Sequence, residues 1–252
     1  MSLKRSDFRF FHRLRVRWAE VDMQKIVFNA HYLMYFDTAI TDYWRALGLP
    51  YQESMAQLGG DLYVVKATVE FHASARADDQ IEVAMKCSRI GTSSMTFTGA
   101  IFRGEEHLIS GDIVYVFADP ATQTSRPVPQ ALRDIVLGYE AGEAMVTIKV
   151  GRWSELGDDA RRIRTAVFVE EQRIPKDLES DAADLTAVHA VAYNRLGMPL
   201  ATGRYLPYPA AGRPGVVKIG RMAVKRVMRG SGVGRGVLLA LMDAARQRGE
   251  HE

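Results

Sequence analysis

Apolar and polar positions divide the chain into two stretches of different rhythm. In the first, FFHRLRVRW (10–18) reads as a strand. Tyr32, Tyr35, Phe36, Ala39, Ile40, Tyr43 and Leu47 then recur at three- and four-residue intervals. That spacing predicts a helix of about four turns, apolar over enough of its circumference to need wide covering. Gly48, with Pro50 beyond it, supplies the expected stop. Four strand-like runs follow: LYVVKATVEF (62–71), DQIEVAMKCSRI with Ile81, Val83, Met85 and Cys87 alternating, SMTFTGAIFR (94–103) and HLISGDIVYVFA (107–118). Turns at Gly91-Thr92 and Gly104-Glu105 separate the last three. One strand, one long helix and an antiparallel meander predict an α+β domain whose sheet wraps the helix.

The rhythm changes after PATQTSRPVPQALRDIV. Residues 1–137 are expected to form the first domain, and 138–145 a linker built around Gly138 to Glu143. From Val146 the pattern becomes strand (146–153), helix (158–171), strands at 186–194, 199–207 and 216–224, and a helix over 233–248. This is an α/β design unrelated to the first half by any internal repeat. The second domain, 146–252, is expected to be incomplete, because the sequence stops before a further strand.

Composition narrows the function. The chain has 252 residues, 47% hydrophobic and 25% charged, with a formal net charge of +3. Basic residues are scattered, which suits an anionic small molecule at least as well as nucleic acid. A single cysteine, Cys87, excludes an intrachain disulfide, and no Cys/His cluster has metal-ligand spacing. No segment is apolar enough for a signal peptide or a membrane span. A cytoplasmic protein binding neither metal, membrane nor nucleic acid is the simplest expectation.

Chemistry concentrates in RWAEVDMQKIVFNAHYLMYFD (17–37). A helix amino end presents unpaired N–H groups and partial positive charge, which can hold the oxyanion that develops on an attacked carbonyl. A carboxylate on the loop feeding that helix can act as base or nucleophile. The spacing from Asp22 to the helix start near Asn29 permits this arrangement, although a lone loop aspartate is more often a cap or surface acid. Glu20 reads as a surface acid. His31 and His72 read as packed or hydrogen-bonded structural residues, and Glu70 as a strand residue.

The segment from Val16 through Asp22, Asn29, Tyr32, Tyr35 and Phe36, with Val69-Glu70-Phe71, Asp78-Asp79 and Ser93-Ser94 after it, resembles the hotdog-fold acyl-CoA thioesterases of the hydroxybenzoyl-CoA thioesterase type. The resemblance covers about residues 8–137. It implies that Asp22 is the catalytic carboxylate, that a backbone amide at the helix start, that of Asn29, polarises the thioester carbonyl, and that hydrolysis needs no cofactor. It also implies a homodimer or homotetramer with the site between subunits. One departure is visible: the family usually has glycine three residues after the acid, and this chain has Lys25. A turn requiring positive φ would make lysine costly there.

In the second half, a strand (216–224) leads into RGSGVGRG. A glycine-rich strand-to-helix junction can cradle a pyrophosphate on backbone amides, though many plain turns also collect glycine. Arg229-Gly230-Ser231-Gly232-Val233-Gly234, flanked by Arg235, is similar to the signature of the GNAT acetyltransferases, which bind coenzyme A there. FVEEQRIPKDLESD (168–181) and AVHAVAY look like the same superfamily. The resemblance implies CoA or acetyl-CoA as ligand, with the backbone of Met222 and Val224 beside its pantetheine arm. The expected function is acyl-CoA hydrolysis. The alternatives are a CoA-dependent N-acetyltransferase using the hotdog half for oligomerisation, or a non-catalytic CoA-ester-binding protein.

Overall fold

The computed structural model describes residues 3–179, 181–207 and 215–249. They fall into two compact units, Met1–Leu47 with Tyr51–Glu143, and Gly48–Pro50 with Ala144–Glu252.

In the first unit, strand β1 (Phe10–Arg15) precedes helix α1 (Ala30–Ala46), helix α2 (Tyr51–Leu58), strands β2 (Asp61–Phe71), β3 (Gln80–Ile90), β4 (Ser94–Arg103) and β5 (Glu106–Ala118), and helix α3 (Gln130–Glu140). The strands form one sheet in the order β1-β3-β4-β5-β2, with every neighbouring pair antiparallel. The helix expected from the apolar spacing is α1, whose Tyr32, Tyr35, Phe36, Ala39, Ile40 and Tyr43 are buried. It lies against the sheet because two glycines make room for it. Gly99 and Gly111 are paired across β4 and β5, and a Cβ on Gly99 would stand 2.4 Å from the Phe36 ring. Two turns further on, the Tyr43 ring meets Phe10, Phe97 and Tyr139 edge-on at 5.4–5.5 Å, a favoured aromatic geometry. The opposite face of the sheet is covered in part by the amino-terminal segment, where Phe8, Ala84, Ala100 and Phe102 cluster.

Three sequence expectations change here. β1 ends at Arg15 rather than Trp18, because Trp18–Glu20 forms a 3-10 turn. Pro50, read as a stop, immediately precedes α2, a position where proline's fixed φ and missing N–H start a helix. Residues 138–140, assigned to the linker, are the last turn of α3, where Gly138 and Tyr139 are buried.

The second unit contains β6 (Val146–Gly151), α4 (Trp153–Arg164), a π-helical segment (Thr165–Glu171), the single turn α5 (Lys176–Glu179), β7 (Val188–Asn194), β8 (Pro199–Leu206), β9 (Lys218–Val224) and α6 (Val233–Gln247). The sheet is antiparallel in sequential order β6-β7-β8-β9. Helix α4 covers one face through Leu156, Ala160 and Ile163 against Val191 and Ala223. Helix α6 covers the other through Val237, Leu241 and Ala245. Alternation along β7 explains both: Ala190 and Ala192 face α6, and Val191 faces α4. Trp153, expected at a strand end, begins α4 instead, and its Arg152–Glu155 backbone–carboxylate contact of 3.0 Å marks the helix start.

Candidate active site

The loop carrying Asp22 is a tight reversal. Val21 and Val27 form an isolated antiparallel bridge. Inside it, the Asp22 N–H donates to the Ile26 carbonyl at 2.9 Å, and the Lys25 N–H donates to the Asp22 carbonyl at 3.0 Å. The Asp22 Oδ1 accepts the Gln24 N–H at 2.8 Å, an Asx turn that fixes the side chain over its own loop. Lys25 sits at φ 61°. The departure from glycine is therefore a lysine held in the left-handed region, so the turn geometry survives at an energetic cost.

From this loop the chain enters α1. Asn29 already has helical dihedrals, φ −53° and ψ −34°, and its side chain makes no capping bond. The Phe28 N–H donates to the Glu20 carbonyl, and those of His31 and Tyr32 to the carbonyls of Phe28 and Asn29. Among the described residues the amides of Asn29 and Ala30 have no hydrogen-bond acceptor. They are the open positive end of a 17-residue helix. Asp22 is half-buried while Asn29 is exposed.

Glu20 is not the surface acid that sequence reading suggested. It is 3% exposed and accepts the Arg17 N–H at 2.8 Å, the Arg17 Nε at 2.7 Å and the Tyr35 hydroxyl at 2.7 Å. Burial alone would raise its carboxyl; the bonds from Arg17 and Tyr35 outweigh it and hold the group below its ordinary value. Through Tyr35 on α1 and through the Phe28 amide, Glu20 ties the acidic loop to the helix. Tyr32 adds a second tie: its hydroxyl accepts the Ala75 N–H at 3.0 Å, and Val27 donates to the Ala75 carbonyl at 2.9 Å. Burial, and further down the carboxylate charges of Asp79 and Asp22, push the Tyr32 hydroxyl above its usual range.

Of the two candidate histidines, His31 lies in the first turn of α1 with its ring edge-on to Phe28 at 6.1 Å. His72, on the other side of β2, bonds the Ser110 hydroxyl at 2.7 Å and meets the His107 ring at 4.7 Å with the planes tilted by 45°. Cys87 is no nucleophile, because burial and then the Glu140 carboxylate push its thiol up to about 12.

In the second unit the glycine-rich junction runs from β9 to α6. Gly230 and Gly232 adopt φ 85° and 84°, conformations that glycine reaches without a Cβ penalty. Among the described residues the amides of Gly232, Val233, Gly234 and Arg235 have no acceptor, which makes a row of donors at the amino end of α6. Gly234 also lets helix and strand approach, since a Cβ there would stand 2.9 Å from Val224. The Val233 side chain is buried in the core, so Val233 contributes its amide, whereas the Ser231 hydroxyl and N–H both donate to the Met228 carbonyl, at 2.6 and 3.3 Å. Met222 and Val224 lie on β9, one of the two edge strands of the described sheet. Arg235 is exposed, whereas Arg229 is engaged by Glu171 in a bidentate pair at 2.7 and 2.7 Å. Beneath 168–181 lies a buried ionic network that sequence reading missed. Arg164 bonds Asp184 at 2.8 Å, and Arg204 bonds Asp181 at 2.8 and 2.7 Å. These bonds from Arg204, more than any other contact, push Asp181 down to about 2.

An antiparallel sheet laid on one long helix, with an acidic loop feeding that helix's open amino end, defines a hotdog protein of the thioesterase class. Residues 24–110 match the family model of the thioesterase superfamily, and residues 153–252 match that of the acetyltransferase (GNAT) family. A candidate esterase of Aquifex aeolicus (strain VF5) is 30% identical over 94 residues, 37% of this chain and 73% of that protein. The acyl-CoA thioester hydrolase YbgC of Escherichia coli O157:H7 is 28% identical over 120 residues, 47% of this chain and 89% of that protein. A solved 1,4-dihydroxy-2-naphthoyl-CoA thioesterase from Synechocystis is 18% identical, covering 51% of this chain and 95% of that one, with a TM-score of 0.47. The chain belongs to the thioesterase superfamily.

Proposed function

We propose that this protein hydrolyses acyl-CoA thioesters to free acid and CoA, with Asp22 as the working carboxylate and the α1 amides as oxyanion donors. The observation that carries the reading is the open pair of amides at Asn29 and Ala30, reached by a loop whose acid is fixed by its own turn and stapled to the helix by Glu20. Asp22 either takes a proton from water as the oxygen adds to the thioester carbon, or adds itself to form an anhydride that water then opens. In both routes negative charge grows on the carbonyl oxygen, where unpaired N–H groups at a helix's positive end favour the transition state over the ground state. The CoA thiolate then leaves and is protonated. No metal or cofactor enters either route.

The unit is proposed to work as a homodimer or homotetramer. Strand β2 forms a free edge of 11 residues, with Val64, Val65 and Phe71 exposed at 54%, 60% and 56%. A long apolar edge of that kind is stable in solution when paired. The four donor amides at Gly232–Arg235 support CoA binding by the second unit as well. Thiol release from a panel of acyl-CoAs, with and without an amine acceptor, tests the function. Release without an amine supports hydrolysis, release only with one supports acetyl transfer, and thermal stabilisation by CoA with no release supports a binding protein. Light scattering checks the oligomer. Loss of CoA affinity in Gly232→Ala, with hydrolysis retained, would assign the second site.

A further inference from the structure

The connection from β2 to β3, residues 72–79, has one buried residue, Ala75, at 0% exposure. Every other residue of that connection is exposed or half-buried. Apolar burial therefore does little to hold it, and polar bonds fix its position. Ala75 is bonded in two directions. Its N–H donates to the Tyr32 hydroxyl on α1 at 3.0 Å, and its carbonyl accepts the Val27 N–H at 2.9 Å. Val27 closes the bridge to Val21 that brackets Asp22. One backbone unit thus joins the helix that carries the open amides to the loop that carries the acid.

The connection is anchored to the sheet by Arg103, the last residue of β4. Arg103 faces Glu106 across the β4–β5 turn, and the Glu106 Oε2 accepts its Nε at 3.1 Å and its Nη2 at 2.6 Å. These two bonds orient the planar guanidinium and leave Nη1 to reach the connection. Nη1 donates to the Asp79 Oδ2 at 2.6 Å and, more loosely, to the Ser74 carbonyl at 3.4 Å. The same Asp79 oxygen accepts the Arg76 N–H at 2.8 Å. Arg103 therefore holds the residue before Ala75 directly and the residue after it through Asp79. Electrostatics point the same way. Burial above all pushes the Tyr32 hydroxyl up; the Ala75 N–H and then the Arg103 charge oppose it, and the Asp79 and Asp22 charges add to it.

We infer that Arg103 is a positioning residue for hydrolysis, which through Asp79 and Ala75 fixes the separation of the Asp22 carboxylate from the α1 amides. The inference rests on the reading of Asp22 and those amides as the catalytic groups. Arg103 itself bonds neither of them. Its loss frees Ala75 to shift, and with it the Val27 end of the acidic loop relative to Tyr32 on the helix. A misplacement of about 1 Å between reacting groups can cost about a hundredfold in rate. The loss falls on kcat rather than KM, because these groups act on the thioester already bound.

The test measures thiol release from the best acyl-CoA well below the melting transition of each variant. Arg103→Ala is expected to lower kcat by about tenfold or more while KM changes by less than about twofold. Arg103→Lys keeps the charge without the fork, so it should recover part of the loss, and it carries the comparison if the alanine protein does not fold. Arg126→Ala is the control: it removes another arginine–aspartate contact, with Asp119, and should affect melting temperature but not kcat. An unchanged kcat in Arg103→Ala, or an equal loss in Arg126→Ala, overturns the inference. Tyr32→Phe removes the hydroxyl that Ala75 binds. Combined with Arg103→Ala it should lose less than the product of the two single losses, and a full product, the mark of independent action, also overturns the inference. Hydrogen exchange supplies a readout without substrate. Amides of residues 20–30 should exchange about tenfold faster in Arg103→Ala, and unchanged exchange contradicts the proposed path. Asp22→Asn separates the two readings. Turnover retained there sinks the catalytic reading, whereas an inactive Asp22→Asn beside a fully active Arg103→Ala sinks the positioning role alone.

Discussion

Replacing Lys25 by glycine should stabilise the amino-terminal unit. Lys25 is held at φ 61°, where a side chain costs about 1–2 kcal/mol. Glycine removes that cost but gives the unfolded chain more freedom, worth about 0.5–1 kcal/mol in the other direction. The lysine side chain is exposed and has no ion pair among the described residues, so nothing else is lost. The net gain is about 0.5–1 kcal/mol. For a unit of about 140 residues, that corresponds to a melting shift of about 2–4 °C. Scanning calorimetry of the full chain is the assay, with Lys25→Ala as control. Alanine keeps the Cβ and hence the strain, so it should gain nothing. If glycine is no more stable than alanine, the turn does not store the strain attributed to it. Acceptance of that strain also bears on function, because the Asp22 carbonyl and amide are both bonded inside the same turn.

Three further outcomes follow from named contacts. Glu20→Gln should lower stability by about 2 kcal/mol in urea titration, since it weakens a buried carboxylate that binds Arg17 and Tyr35. Because the folded Glu20 carboxyl lies below its unfolded value, its contribution is present above about pH 4.5 and is lost as pH falls through the folded value, so the two proteins should converge in acid. Gly99→Val should prevent the amino-terminal unit from folding, seen as loss of its calorimetric transition, because the Phe36 ring already stands 2.4 Å from where a Cβ would be. Asp181→Asn should lose least in acid: the carboxyl is pushed from 3.8 to about 2, so wild-type stability owed to it is full above about pH 4 and fades toward pH 2.

The amino-terminal fold was legible because its signals were strong and local. Seven apolar residues at helical spacing marked α1, and alternation from Ile81 to Cys87 marked β3. Helix α3 was missed although Leu132, Ile135, Val136 and Tyr139 repeat at three- and four-residue intervals and are all buried. No element was assigned to that segment, in which Pro129 stands at the helix's amino end. Asp22 could be singled out from sequence only through a family pattern, and the matched family segment begins two residues beyond it. Glu20 could not be singled out, because burial of an acid depends on Tyr35, fifteen residues along, turning its hydroxyl back to the loop. In the second unit the glycine junction was readable from spacing. The Arg229–Glu171 pair, which joins residues 58 apart in the chain, was not.

The central claim is that Asp22 performs the hydrolysis on a thioester carbonyl held by the α1 amides. Asp22→Asn preserves the size of the side chain and the acceptor for the Gln24 N–H, and should keep the melting temperature and oligomeric state of the wild type. Its kcat for the best acyl-CoA, followed by thiol release, should fall by about a thousandfold or more. A folded Asp22→Asn protein that turns over acyl-CoA at a rate near that of the wild type would contradict the account.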